Sequence, residues 1–445
     1  MRPLHATKVT TAQVFAIAGP AMIANLTTPL IGIVSTAAIG RLGEPAMLGG
    51  VAMASVIFDC LFWLFAFVRM STTAFAAQSL GAGETAELRV ILVRGFIVAA
   101  IIGAALILLQ IPLGSLLLGA MGGSEAVTRA AKTYFSIRIW SAPLVLINYV
   151  VLGWLIGLAH ARLALGLQMA INIINAAATV LLVLVLDAGI AGAAIAAVAA
   201  EAVGLLLGIL AAGHLTQWKL AIEQGSLLER AELMRMLAVN RDIMIRTAAL
   251  IAVWLFFAAQ GARTGDLALA ANSVLNNFLL ISAFFLDGLA NAAQQLCGQA
   301  YGARDKAAFS GATRLVVGWG FAFAVAVTLV FLLFGGHFID IMTASEDVRR
   351  MARDFLIFVI VSPLLAVFAF AFDGVYIGAT WARDMRNLMV ASLAIFFSAW
   401  LALRSFGNAG LWGALLAHYA ARGGLEAARY PALLKASFTA ASPRP

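Results

Sequence analysis

Four carboxylates, Asp59, Glu201, Asp287 and Asp373, stand inside long apolar runs. A charge at the centre of a membrane helix costs about 2.5 to 3.5 kcal/mol on insertion scales, so each acid asks for a compensating role in binding a proton or cation, or in pairing with another helix. Asp287 lies in Phe284-Phe285-Leu286-Asp287-Gly288, and Asn291 and Gln294 follow at helical spacing. That spacing sets the three on one polar stripe, suited to a cation or a water-filled cavity. Asp373 lies in Phe372-Asp373-Gly374, two apolar runs later. Glycine after each acid lets a backbone or a water approach. If both acids face the C-terminal bundle they could share a proton. The alternative is a fixed hydrogen bond between helices.

The N-terminal half is mostly neutral in its polar residues. Asn25, Thr27, Ser35, Thr36, Asn148, Gln168, Asn172, Asn175 and Thr179 accompany only two acids, Asp59 and Glu201. Such amides and hydroxyls either line a cavity or hydrogen-bond between helices, at about 0.6 to 2 kcal/mol each. Glu201 reads equally as a structural partner. Arg69 stands as the one clearly internal cation. It lies too far along the helix from Asp59 for a direct pair, so its partner is elsewhere. Asp187, Asp340 and Asp354 fall near span ends and read as solvated. Cys60 and Cys297 sit in apolar runs as packing residues, which supports neither a disulfide nor a metal cluster. His160, His214 and His337 fall at span ends, and no intramembrane histidine pair, cysteine nucleophile or catalytic dyad appears, so no enzyme is expected.

The elements that must carry these residues follow from composition. Of 445 residues 63% are apolar and 11% charged, against roughly 45–50% and about 25% in soluble domains. That makes an all-α membrane protein. Apolar runs predict spans near 12–40, 46–79, 87–113, 126–158, 162–186 and 189–213, then 240–262, 267–299, 307–334, 346–379, 384–405 and 409–432. Between the sets, residues 214–239 mix charge with apolar positions and read as an amphipathic cytoplasmic connector. The expected organisation is therefore an N-terminal six-helix lobe at 1–213, the connector, and a C-terminal six-helix lobe with a short tail at 240–445. Pro20 and Pro29 interrupt the first span as a hinge or a bend. The polar lead from Met1 to Thr11 has no cleavage pattern, so no removable signal peptide is expected.

The halves match at an offset of 221 residues. Gln78, Gly81 and Ala82 fall on Gln299, Gly302 and Ala303; Gly157, Ala161 and Arg162 fall on Gly378, Ala382 and Arg383; Gly189 and Gly192 fall on Gly410 and Gly413. Six spans per half puts both halves into the membrane from the same side, with the pseudo-two-fold axis along the membrane normal, an arrangement suited to two bundles rocking about a cavity. The net charge of +8 is spread over loops without a basic patch, so nucleic acid is not expected as a partner. Lysine and arginine gather on the side that holds both termini, which puts those termini in the cytoplasm.

At these residues the sequence resembles the multidrug and toxic compound extrusion (MATE) transporters, and among them the DinF-like branch. The similar stretches are Leu48-Gly49-Gly50-Val51-Ala52, Arg69-Met70-Ser71-Thr72-Thr73 with Ala77-Gln78, Asn148 to Trp154, Asn240 to Arg246, Gly298 to Arg304, and Ile377-Gly378-Ala379-Thr380 followed by Met385-Arg386-Asn387. The resemblance implies twelve helices in two lobes, a central cavity, and export of amphipathic or cationic small molecules in exchange for H+ or Na+. The chain departs from the branch at several positions. Ser35 replaces an acid usual in the first helix, Thr179 replaces one usual four residues after Asn175, Gln294 stands where a glutamate often follows the eighth helix's Asp-Gly, and Asp59 is an added acid. Coupling is accordingly expected to move to Asp287 and Asp373, leaving Asn25, Ser35, Asp59, Asn148, Asn172, Asn175, Thr179, Glu201, Asn291 and Gln294 as candidate coupling or cavity residues. Beyond the coupling ion no cofactor is expected; the expected partners are the transported molecules and membrane lipids around a monomer in the bacterial inner membrane. The alternative is a flippase of lipid-linked intermediates, whose phosphates call for a cationic central groove, and Arg69 alone does not make one.

Overall fold

The computed structural model describes residues 9–41, 44–217, 227 and 229–439, and among them every regular element is helical. Apolar surroundings demand this, because a backbone that cannot bond to water must satisfy its amides and carbonyls within the segment. The first span is α1 (Thr11–Gly40), which runs unbroken through Pro20 and Pro29. The second is α2 (Pro45–Leu64) and α3 (Phe67–Ala82), broken at Phe65 and Ala66. The third is α4 (Thr85–Leu108), prolonged by α5 (Gln110–Met121). The fourth joins α6 (Glu125–Arg138) to α7 (Ala142–Gly157) through a 3-10 turn. The fifth is α8 (Ala161–Thr179), ending in a π-helical turn at Val180–Val185, and the sixth is α9 (Gly189–Thr216). The second half uses one helix per span: α10 (Arg230–Arg263), α11 (Asp266–Gly302), α12 (Lys306–Met342), α13 (Glu346–Gly378), α14 (Ala382–Leu403) and α15 (Asn408–Thr439). Among the described residues ten spans are long and apolar enough to cross a membrane, and with α1 and α15 the count is consistent with the expected twelve.

The helix ends depart from the apolar runs at several places: α5 carries the third span to Met121 beyond 113, and α15 reaches Thr439 beyond 432. α12 continues past 334 through Gly335 and Gly336 to Met342, with Gly335 lying against Leu356 of α13. α10 begins inside the stretch read as connector, so residues from Arg230 onward are the first turns of the seventh span. The lead up to Lys8, Lys219 in the connector, and Arg444 lie outside the described residues.

The duplication is visible in backbone detail. Ala159 and Thr380, 221 positions apart, both take positive φ, at 63° and 55°. The next residue then closes the same loop in each half, with His160 N–H on Leu155 O and Trp381 N–H on Tyr376 O, both at 2.8 Å. Gly153 and Gly157 in α7 and Gly374 and Gly378 in α13 form two Gly-x-x-x-Gly pairs. A Cβ on Gly153 would collide with the carbonyl oxygen of Arg69, and one on Gly157 with that of Thr73. One on Gly374 would meet the carbonyl oxygen of Ala290, and one on Gly378 that of Gln294. These carbonyls also stand 221 positions apart, so the same close helix approach, which only small residues permit, is built twice.

The chain divides into two compact units, Ile23–Leu80 with Glu84–Asn240, and Met1–Met22 with Gly81–Gly83 and Arg241–Pro445. In the first, α2 packs on α6, α4 on α7 and α8 on α9. Its core holds Phe58 stacked on Phe135 at 5.2 Å and the Trp154 indole donating to Leu88 O at 2.8 Å. The second is centred on α11 against α13, with α12 and α15 also on α13. Its core includes Phe278 edge-on to Phe331 at 5.0 Å and a buried amide cluster in which Asn272 and Asn408 bond reciprocally while Trp412 donates to Asn272. The opening turns of α1 belong to this unit: Phe15 stands edge-on to Trp319 at 4.8 Å, and Gly288 lies under Ala18 and Met22.

Candidate coupling and substrate site

In the second unit the acids expected from sequence meet cations that the sequence reading did not single out. Asp373 is buried on α13, and its Oδ2 accepts from Nη2 of both Arg246 on α10 and Arg422 on α15. Among the described residues its Oδ1 has no donor, and the Nε of each arginine has no acceptor. Arg246 and Arg422 are 4% and 2% exposed, so Arg69 is not the one internal cation. Removing one partner from such a buried set leaves an uncompensated charge and typically costs about 3–5 kcal/mol.

Asp287 is half-buried on α11. Asn291, one turn on, donates to its carbonyl at 2.9 Å and to its carboxylate at 3.3 Å. Asn291 and Gln294 are both buried on the same helix. Asp287 interacts electrostatically with Arg246, the same guanidinium that donates to Asp373. Beside Asp373, α15 presents His418, Arg422 and Glu426, all buried and each one turn from the next. Phe370 covers the Arg422 guanidinium at 5.7 Å, and a small apolar cavity adjoins it, lined by Leu286, Ser362, Pro363, Phe370 and Tyr419 among others.

The first unit collects its polar residues in three groups. Asn148 is buried on α7 and donates to the Glu201 carboxylate at 2.7 Å and to its carbonyl at 3.0 Å. Asn172 donates to Thr27 at 3.0 Å and accepts from Gln168 at 3.1 Å, while Thr179 donates to Asn175 at 3.2 Å. Asn25 and Ser35 are half-buried on α1, and Asp59 is exposed on α2. A third unforeseen cation joins the acids: Arg138, at the end of α6, interacts electrostatically with both Asp59 and Glu201, and its guanidinium lies over Phe58 and Tyr134 at 5.5 and 5.9 Å.

Charge is also organised at the helix ends. Asp242, 4% exposed, accepts from Arg386 at 2.7 Å and from Arg241 at 3.0 Å. Buried Arg94 pairs with Glu87 at 3.0 Å and donates to Leu227 O at 3.2 Å. Among the described residues no group of three or more histidine, cysteine, aspartate or glutamate side chains could hold a metal ion.

The MatE family profile matches residues 20–188 and 246–400. The chain belongs to the MatE family. It is 39% identical over 407 residues to DNA damage-inducible protein F of Escherichia coli, covering 91% of this chain and 88% of that protein. It is 25% identical to the probable multidrug resistance protein NorM of Caulobacter vibrioides, covering 87% and 84%. The fold matches an outward-facing multidrug resistance MATE transporter of the MOP superfamily with a TM-score of 0.85 at 17% identity, covering 96% of each chain. A MOP superfamily transporter from Pyrococcus furiosus superposes with a TM-score of 0.84 at 18% identity, again over 96% of each. This MatE protein is therefore a multi-pass membrane transporter of the multidrug type.

Proposed function

We propose that this MatE transporter is a secondary active exporter of amphipathic or cationic small molecules, driven by inward movement of H+ or Na+ through alternating access, with Asp287 and Asp373 as the coupling acids. The observation that carries the reading is Asp373, one buried carboxylate oxygen held by two arginines from two other helices. Neutralising that carboxylate removes the anion that offsets both guanidiniums, so its protonation changes the relative stability of helix arrangements by more than a surface group could. A proton fits this acid better than Na+, because the two guanidiniums repel a second cation. A membrane potential of 100 mV supplies about 2.3 kcal/mol per elementary charge, enough for roughly fiftyfold accumulation. The neutral groups around Asn148, Asn172 and Asn175, beside Asp59 and Glu201, would meet substrate with amides and hydroxyls that do not titrate near physiological pH.

The flippase alternative is not favoured. Arg246 and Arg422 do add cations that the sequence reading lacked, but Asp373 engages both, which leaves them poorly placed to hold lipid phosphates. The bias of basic residues supports cytoplasmic termini in a bacterial inner membrane, and a reporter fused after Pro445 that proves extracytoplasmic would overturn that orientation. Dye efflux from proteoliposomes under separately imposed proton and sodium gradients tests the function. Wild-type efflux indifferent to both gradients would sink it.

A further inference from the structure

α15 carries an acid that the coupling reading does not use. Glu426 stands one turn after Arg422, has no exposure to solvent, and neither of its carboxyl oxygens has a hydrogen-bond donor among the described residues. A carboxylate buried without donors has lost its hydration and gained little in return, whereas the neutral acid loses far less. The two groups able to supply donors are close. Arg422 and Arg246 both interact electrostatically with Glu426, yet both spend their Nη2 donors on Asp373 and leave Nε without an acceptor. Two guanidiniums thus stand near two carboxyls, and their hydrogen bonds go to only one.

We propose that Glu426 is a proton-binding site. In the arrangement seen here Asp373 is the ionised partner of both arginines and Glu426 holds its proton. When a proton reaches Asp373 from the medium, the arginines turn to Glu426, whose proton leaves to water. The proposal rests on the reading of Asp373 as a coupling acid. It also balances: each state holds one carboxyl proton between Asp373 and Glu426, so exchange moves a proton without changing the net charge of the cluster. Other titratable groups on the helices that carry this cluster are engaged elsewhere or reach only the Glu426 backbone. On α13, Tyr376 donates its hydroxyl to the Glu426 carbonyl at 2.7 Å. On α15 itself, His418 has Nδ1 at 3.3 Å from Ser392 O, and Arg429 donates to Asp384 of α14 at 2.9 Å. On α10, Asp242 is held by Arg241 and Arg386.

Infrared difference spectroscopy of the full chain in lipid, which separates the C=O stretch of a protonated carboxyl from that of a carboxylate, tests the site. At neutral pH wild type should show a protonated-carboxyl band that Glu426→Gln loses. Asp373→Asn, in which Glu426 is intact, should lose the same band because the freed arginines ionise Glu426. This second variant keeps the test decisive if Glu426→Gln fails to fold. A band that survives in either variant overturns the proposal. Proton-driven dye efflux by the same wild-type proteoliposomes is read in parallel. Gradient-indifferent efflux with the expected bands would remove the coupling reading and leave the proton site standing, while gradient-driven efflux with a surviving band would do the reverse.

Discussion

Arg422 of α15 donates to Asp373 of α13 inside the second unit, on the same carboxylate oxygen that Arg246 of α10 uses. Three helices therefore meet on one atom. A proton arriving there does not simply cancel one charge; it releases two cations that the apolar surroundings cannot solvate and that must turn to another carboxylate.

Asp373→Asn and Asp287→Asn should for that reason differ in stability while agreeing in function. Both remove a titratable group and are expected to abolish gradient-driven efflux. Asp373→Asn removes the carboxylate that accepts from two buried arginines and, even with Glu426 ionised to offset part of their charge, should destabilise by about 1–3 kcal/mol, whereas Asp287→Asn, at a half-buried carboxylate, should stay within about 1 kcal/mol of wild type. Thermal unfolding in detergent beside proteoliposome efflux reads both. Equal melting of the two variants would mean that the arginines do not depend on Asp373.

Restoring stability without restoring transport separates the pair from its role. Asp373→Asn combined with Arg422→Met removes one stranded cation and should recover part of the lost stability, because an uncharged side chain of similar length fills the site. Gradient-driven efflux should stay absent. A double variant no more stable than Asp373→Asn alone would show that the cost lies elsewhere.

The repeated glycine contacts predict matched losses in the two halves. Gly153→Leu and Gly374→Leu each force a side chain onto a backbone carbonyl and should destabilise by about 1–3 kcal/mol or more. Gly166→Ala on α8, with no heavy atom within 4 Å of the added Cβ, should be neutral or stabilising by up to about 1 kcal/mol. If Gly374→Leu melts like wild type, the close approach of α11 and α13 does not hold.

These contacts also mark what the sequence could and could not convey. Twelve spans, the 221-residue register and the Asp287–Asn291–Gln294 stripe are periodic features, and periodicity survives into the fold because apolar runs must become helices in lipid. Arg246, Arg422, His418 and Glu426 were passed over because a span judged by its average hydropathy hides a few charges among many alanines and leucines. A signal was present. His418, Arg422 and Glu426 recur every four residues, which is one helical stripe, and the same test that exposed Asp287 would have found them. What no spacing reveals is that Asp373 answers two arginines from separate helices, since 127 and 49 residues of chain separate it from them.

The first unit supplies the last prediction. Ser35 and Thr179 do not titrate near physiological pH, although their hydroxyls can bond to substrate or water, and Thr179 already donates to Asn175. Asp59 is the added acid on that side, but it is exposed and faces the charge of Arg138, so its removal strands no buried cation of the kind that Asp373 offsets. Asp59→Asn should then alter proton-driven efflux less than Asp373→Asn does. Ser35→Asp, at a half-buried position of α1, should be tolerated and shift the pH profile of efflux, because it adds a group that titrates. The three variants are compared by dye efflux across a pH series. If Asp59→Asn eliminates proton dependence while Asp373→Asn preserves it, coupling belongs to the first unit, and the arginine-held carboxylate of α13 is a structural joint.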